Sequence, residues 1–209
     1  RIHVYCSLKD GNTEFDKQFG LPNGYDSHTI ADAPSGSFVG LENTSNFNIN
    51  TILRLDAPTI FLMPSETKLL LAEAVLRNWT NGNAEVLYKE AITSSMKEQE
   101  IAYGTQGKIT DEEIETYLAQ NLFSTANNTE KLQIIGEQYW VATFINGYES
   151  YANWRRTGYP KLIPTNYSGS MSPGVIPTRL PYPTDEYSIN RANVDTANQQ
   201  QGADKVTTH

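Results

Sequence analysis

The 209-residue chain predicts a mainly α-helical fold: helical hairpins carrying extensive irregular loops and a few short strands. Three observations point there. After Pro64, apolar residues recur at three- and four-residue spacing. Two of the helical segments open on capping boxes. Residues 1–63, by contrast, break into short runs between dense turn signals.

Residues 1–63 read as a loop-rich region with short strands. Turns are marked by Asp10-Gly11-Asn12, Pro22-Asn23-Gly24, Pro34-Ser35-Gly36 and Glu42-Asn43. In "RIHVYC", Ile2, Val4 and Cys6 alternate with polar residues, which predicts a strand with one buried face and a buried structural thiol. Phe15, Phe19, Tyr25, Phe38 and Phe47 lie in polar surroundings without a helical period. Such loops are where a rigid scaffold displays function.

Residues 64–209 read as a helical region with Pro- and Asn-rich C-terminal loops. "PSETKLLLAEAVLRNW" places Leu69, Ala72, Leu76 and Trp79 on one stripe, with Pro64 suited to the first turn. Asn81-Gly82-Asn83 breaks the helix, and "AEVLYKEAITSSM" forms a second, with Ala72 and Ala91 small enough for close approach. The hairpin has roughly the 34-residue length of a tetratricopeptide repeat, and one such hairpin must stack on neighbours to bury its apolar face. Thr110 and Glu113 box the start of the next helix, and Asn127 and Glu130 the one after it. That last helix is expected to run unbroken through "KLQIIGEQYWVATFINGYESYANWRRT", with Val141, Phe144, Ile145, Tyr148, Tyr151 and Ala152 forming a stripe that lies between layers. Gly158 is its left-handed terminator and Pro160 forbids continuation. Arg155 and Arg156 complement the carbonyls of the last turn; about 100° apart around a helix, they are not placed to grip one anion together. A short helix is expected near 185–198.

Composition excludes several classes. The net charge is −8, and no Lys/Arg run exceeds Arg155–Arg156, which argues against nucleic acid as a partner. One cysteine, Cys6, permits neither an intrachain disulfide nor a multi-cysteine metal site. The histidines are His3, His28 and His209, and none is paired at metal-ligand spacing. No nucleophile elbow, dinucleotide fingerprint or phosphate loop is present. No catalytic residue, cofactor or metal is therefore assigned. Acid pairs such as Asp111–Glu112 sit where a helix start favours negative charge.

Four blocks together resemble the SusD/RagB family of outer-membrane nutrient-binding lipoproteins. They are "MPSETKLLLAEAVLRNWTNGNAEVLYKEAI", "ITDEEIETYLAQ", "EKLQIIGEQYWVATFINGYESYANWRRTGYPKL" and "IPTRLPYPTDEYSIN". The resemblance covers residues 58 to about 205 and implies a SusD-like α–α superhelix, of which this chain is a fragment truncated at its N-terminus; 1–63 and 64–209 would be parts of one domain. It implies a non-enzymatic component of a TonB-dependent uptake complex, binding oligosaccharide or peptide. Its partners would be a TonB-dependent outer-membrane transporter and the missing N-terminal half of the same protein. It would be exposed at the cell surface, lipid-anchored through a segment outside this chain, since Cys6 follows no lipobox.

On this reading "YANWRRTGYP" is scaffold, and ligand residues are expected in the loop-rich first third: Tyr25, Asp26, Phe38, Asn43, Phe47 and Asn48. An aromatic face beside Asn or Asp acceptors can stack a sugar ring and hydrogen-bond its hydroxyls. Two other readings stay open: a tetratricopeptide-type adaptor gripping protein partners, and a helical carbohydrate-active enzyme using acid pairs such as Asp185 and Glu186.

Overall fold

The computed structural model describes residues 1–25, 28–34, 36–123, 127–164, 172, 174–177 and 179–202. They form two compact units, Arg1–Leu21 with Val39–Lys161, and Pro22–Phe38 with Leu162–His209.

The first unit is mainly helical. A turn of helix, α1 (Ile2–Tyr5), leads into the strand β1 (Cys6–Ser7), which pairs antiparallel with β2 (Asn46–Phe47), Cys6 opposite Phe47 and Ser7 opposite Asn46. The start of the chain thus departs from the expected strand. Val4 and Tyr5 are the buried residues and Cys6 is only half-buried. Alternation over so few residues does not separate a strand from one helical turn.

α2 (Pro64–Leu76) and α3 (Ala84–Tyr103) form the expected hairpin. Ala72 and Ala91 are fully buried where the two pack, beside Leu69, Tyr88 and Ile92. Asn83 starts α3 by accepting the N–H groups of Glu85 and Val86. α4 (Asp111–Gln120) follows, then α5 (Asn128–Ala142), which packs on α2 and α3 and supplies Ile135 and Tyr139 to the core. Both capping boxes form. Thr110 Oγ1 accepts the Glu113 N–H at 3.3 Å while Glu113 Oε2 accepts the Thr110 N–H at 2.8 Å; Asn127 and Glu130 exchange equivalent bonds at 3.0 and 2.9 Å.

The expected single long helix is two. α5 ends at Ala142, and α6 (Gly147–Thr157) begins after a four-residue break. Polar groups take over the backbone there. The Thr143 hydroxyl donates to the Tyr139 carbonyl, the Asn146 N–H donates to the Thr143 carbonyl, and Asn146 Oδ1 receives the Glu149 N–H at 3.4 Å. α6 also reverses the expected faces: Ser150 and Asn153 are buried, whereas Tyr148 is 93% exposed and Tyr151 and Ala152 point outward. Gly158 adopts the predicted left-handed conformation, φ 71° and ψ 16°. The chain then crosses α5 so closely that a Cβ on Gly136 would lie 2.5 Å from the Cβ of Tyr159.

Arg156 does more than complement a helix end. Its guanidinium grips Glu73 of α2 through two bonds of 2.7 and 2.6 Å, and Arg77 reaches the same carboxylate at 2.7 Å. Arg155 instead lies over the Tyr151 ring.

In the second unit α7 (Thr184–Ile189) and α8 (Arg191–Gln201) pack on each other, where one short helix was expected. Val194 is buried on α8, and Arg191 pairs with Asp195 one turn on.

Candidate aromatic binding surface

The loop after β2 is stitched to the start of the chain by its own polar residues. The Asn48 N–H donates to the Tyr5 carbonyl at 2.9 Å, and its carboxamide donates to the His3 carbonyl at 3.1 Å while accepting the Asn50 N–H at 2.9 Å. The Thr51 hydroxyl adds a short bond to the Val4 carbonyl. Asn48 and Thr51 are buried, so these bonds satisfy backbone groups that water does not reach.

Phe47, the last residue of β2 and next to buried Asn48, is itself exposed. It is 51% exposed and meets the Phe144 ring edge-on, with centroids 6.1 Å apart and planes at 67°. Phe144, itself 42% exposed, stacks on buried Tyr5 at 4.9 Å and 26°. Three rings therefore run from the core to the surface, and the buried one orients the outer two. Phe144 occupies this place because α5 has already ended; a continuous helix would carry it on the stripe read from sequence. The Asn146-Gly147 pair, together with the Asn146–Glu149 box spacing, is the sequence signal that marks the break.

The six residues singled out from sequence fare differently. Phe47 is an open ring at the surface. Asn43 is exposed, its amide nitrogen donating to the Val39 carbonyl at 2.9 Å. Asn48 is buried with its carboxamide engaged, so it supports the loop rather than presenting hydrogen bonds outward. Tyr25 and Phe38 are half-exposed and belong to the second unit. Asp26 lies outside the described residues.

Phe47 and Phe144 offer faces and edges of rings and carry no proton-transfer group themselves. Burial pushes the Cys6 thiol, opposite Phe47, above its usual range, which leaves it a poor nucleophile. Among the described residues no three His, Cys, Asp or Glu side chains are grouped so as to hold a metal ion. Asp185 and Glu186 sit in the first turn of α7, where a helix favours negative charge. Among the described residues no helix is long and apolar enough to cross a membrane.

Among solved structures, a chitin-binding protein is similar to this chain at 35% identity and a TM-score of 0.68, over 81% of this chain and 36% of its own. A SusD-like protein from Bacteroidetes is similar at 28% identity and a TM-score of 0.69, over 84% and 34%. A SusD homologue from Bacteroides fragilis matches at 27% identity and a TM-score of 0.76, over 100% and 47%. The chain thus spans between a third and a half of the length of these structures. Comparison with curated proteins gives no match. Residues 1–183 match the SusD-like family described as "starch-binding associating with outer membrane". With most of its length matched, and with the helical fold of its solved neighbours, this chain belongs to the SusD-like family.

Proposed function

We propose that the chain is part of a non-catalytic component that binds oligosaccharide, or in some contexts peptide, at the outer membrane and passes it to a TonB-dependent transporter. The complete protein would be tethered to the cell surface by a lipid anchor. The ligand class follows from the family, described as starch-binding, and from the similar chitin-binding protein. The observation that supports a site here is the run of Tyr5, Phe144 and Phe47, an aromatic surface four residues along the chain from the exposed Asn43. Sugar C–H groups pack on such ring faces, and amide groups nearby satisfy the hydroxyls. Tyr25 and Phe38, which belong to the second unit, are proposed as ligand contacts of that unit.

Isothermal titration with maltohexaose, chitohexaose and a mixed peptide pool tests this. Phe47→Ala is expected to weaken glycan binding roughly threefold to tenfold, the range a lost ring contact gives. Tyr25→Ala should weaken it less, since that ring is already half-buried. Unchanged affinity in both variants removes these residues from the site, and release of reducing sugar during the titration replaces the binding reading with a catalytic one.

A further inference from the structure

The turn between α2 and α3 carries Trp79, an indole 71% exposed to solvent. α2 closes with a pair of bonds in which the Asn78 N–H reaches the Val75 carbonyl at 3.0 Å and the Trp79 N–H reaches the Ala74 carbonyl at 2.9 Å. Asn78 takes the left-handed conformation, φ 58°, that this terminator requires. The residue after the left-handed one normally folds an apolar side chain back onto the last turn. Here the residue it would meet, Ala74, is too small to cover an indole, and the ring stays open. A leucine would serve the terminator as well as a tryptophan does.

The indole is nonetheless held in place. The Arg77 guanidinium lies 5.3 Å from its centroid, and Arg77 Nε is fixed at 2.7 Å by Glu73, a buried carboxylate that Arg156 also grips. One side of the ring is thus braced by a guanidinium anchored in the fold, so little ordering remains to be done when a ligand arrives. Its neighbours along the chain, Arg77, Asn78, Thr80 and Asn81, are all exposed. The core of a protein–protein interface needs contiguous apolar surface, which these neighbours do not provide. A single flat ring with exposed carboxamides and a hydroxyl on the residues next to it in the chain suits the alternating apolar face and hydroxyl rim of a sugar.

We propose that Trp79, at the tip of the α2–α3 hairpin, is a second glycan contact that stacks a pyranose ring of a polymeric ligand while its Asn and Thr neighbours reach the hydroxyls. This rests on the glycan reading above for its ligand class and adds a site outside the Phe47 surface.

Affinity electrophoresis of the full chain in gels containing amylose or soluble chitin tests it, alongside acrylamide quenching of tryptophan fluorescence. Trp140 and Trp154 are half-buried, so the quenchable signal comes mainly from Trp79. Trp79→Ala should weaken retardation by polymer roughly threefold to tenfold. Trp79→Phe should retain most of the binding and Arg77→Ala should fall between them. The polymer should protect the wild-type indole from acrylamide, a measurement independent of whether any variant folds. Normal retardation of Trp79→Ala while Phe47→Ala is impaired overturns the Trp79 site and leaves the Phe47 surface standing. Impairment of Trp79→Ala with normal Phe47→Ala supports Trp79 and removes Phe47. If neither polymer retards or protects the wild type, both readings fall together.

Discussion

The two ends of α2 each bury carboxylate, and they do so in opposite electrostatic company. At the C-terminal end Glu73 receives hydrogen bonds from Arg77 and Arg156. At the N-terminal end Glu66 accepts the Met63 N–H at 2.9 Å and lies 3.5 Å from the Tyr139 hydroxyl, which is equally close to Glu149. Beside it, buried Glu98 of α3 accepts the Ser65 N–H at 2.9 Å, the Ser65 hydroxyl at 2.6 Å and the Ser94 hydroxyl at 3.0 Å. The charges acting on Glu66 are those of other carboxylates. Burial raises both acids. At Glu66 it prevails over the Met63 bond and holds the carboxyl above its usual range, whereas at Glu73 the hydrogen bonds and charges of Arg156 and Arg77 outweigh it and hold the carboxyl below. Burial alone therefore does not set the behaviour of an acid on this helix. A cation arriving from α6, 83 residues along the chain, does.

The largest expected effect comes from removing the paired acid. Glu73→Ala leaves two guanidiniums without their shared partner and should cost about 3 kcal/mol in urea denaturation. A cost below about 1 kcal/mol would mean that the pairing is a surface ion pair in energetic terms.

Adjacent arginines sharpen the contrast. Arg156→Ala should lose about 2 kcal/mol, the scale of hydrogen bonds to a charged group, while Arg155→Ala should stay within about 0.5 kcal/mol. Equal losses would show that cationic charge at the end of α6 matters and the Glu73 bonds do not.

The smallest effect is a difference in sign with pH. Glu66, raised in the folded state, contributes stability below its unfolded value near 4.5 and loses it as pH rises through its folded value. Glu73, depressed in the folded state, contributes above 4.5 and loses stability as pH falls through its folded value. Glu66→Gln should therefore stabilise the protein at neutral pH, with a gain that shrinks toward pH 4. Glu73→Gln should destabilise it at neutral pH, with a loss that shrinks on acidification. Thermal melts across that range that moved both variants in the same direction would break the comparison.

Part of the candidate surface was legible in the residues. Phe47 and Asn43 stand in turn-rich, polar surroundings, and both are exposed. Asn48 lies in the same surroundings but is buried, because its carboxamide is drawn to the His3 carbonyl, 45 residues away. Phe144 was hidden for the opposite reason. Its spacing fitted a helical stripe, and only the side-chain bonds of Thr143 and Asn146 take it out of the helix. Trp79 likewise fitted the apolar stripe of α2, yet the helix stops at Leu76 and leaves the ring outside.

The sequence by itself determined where several helices start and stop. Pro64 begins α2, Thr110 with Glu113 begins α4, Asn127 with Glu130 begins α5, and Gly158 ends α6. Each of these signals acts through backbone groups at most a few residues away, so local chemistry is enough. Periodicity also named the residues that the α2–α3 hairpin buries, Leu69, Ala72 and Ala91, whereas only the tertiary structure decided which face of α6 is buried. α6 turns Ser150 and Asn153 inward and its tyrosines outward because Thr143, Arg156 and Glu73 offer its polar face partners within hydrogen-bond reach. Hydrophobic periodicity records what a helix could bury, and the neighbours that meet it, brought together from distant parts of the chain, settle what it does bury.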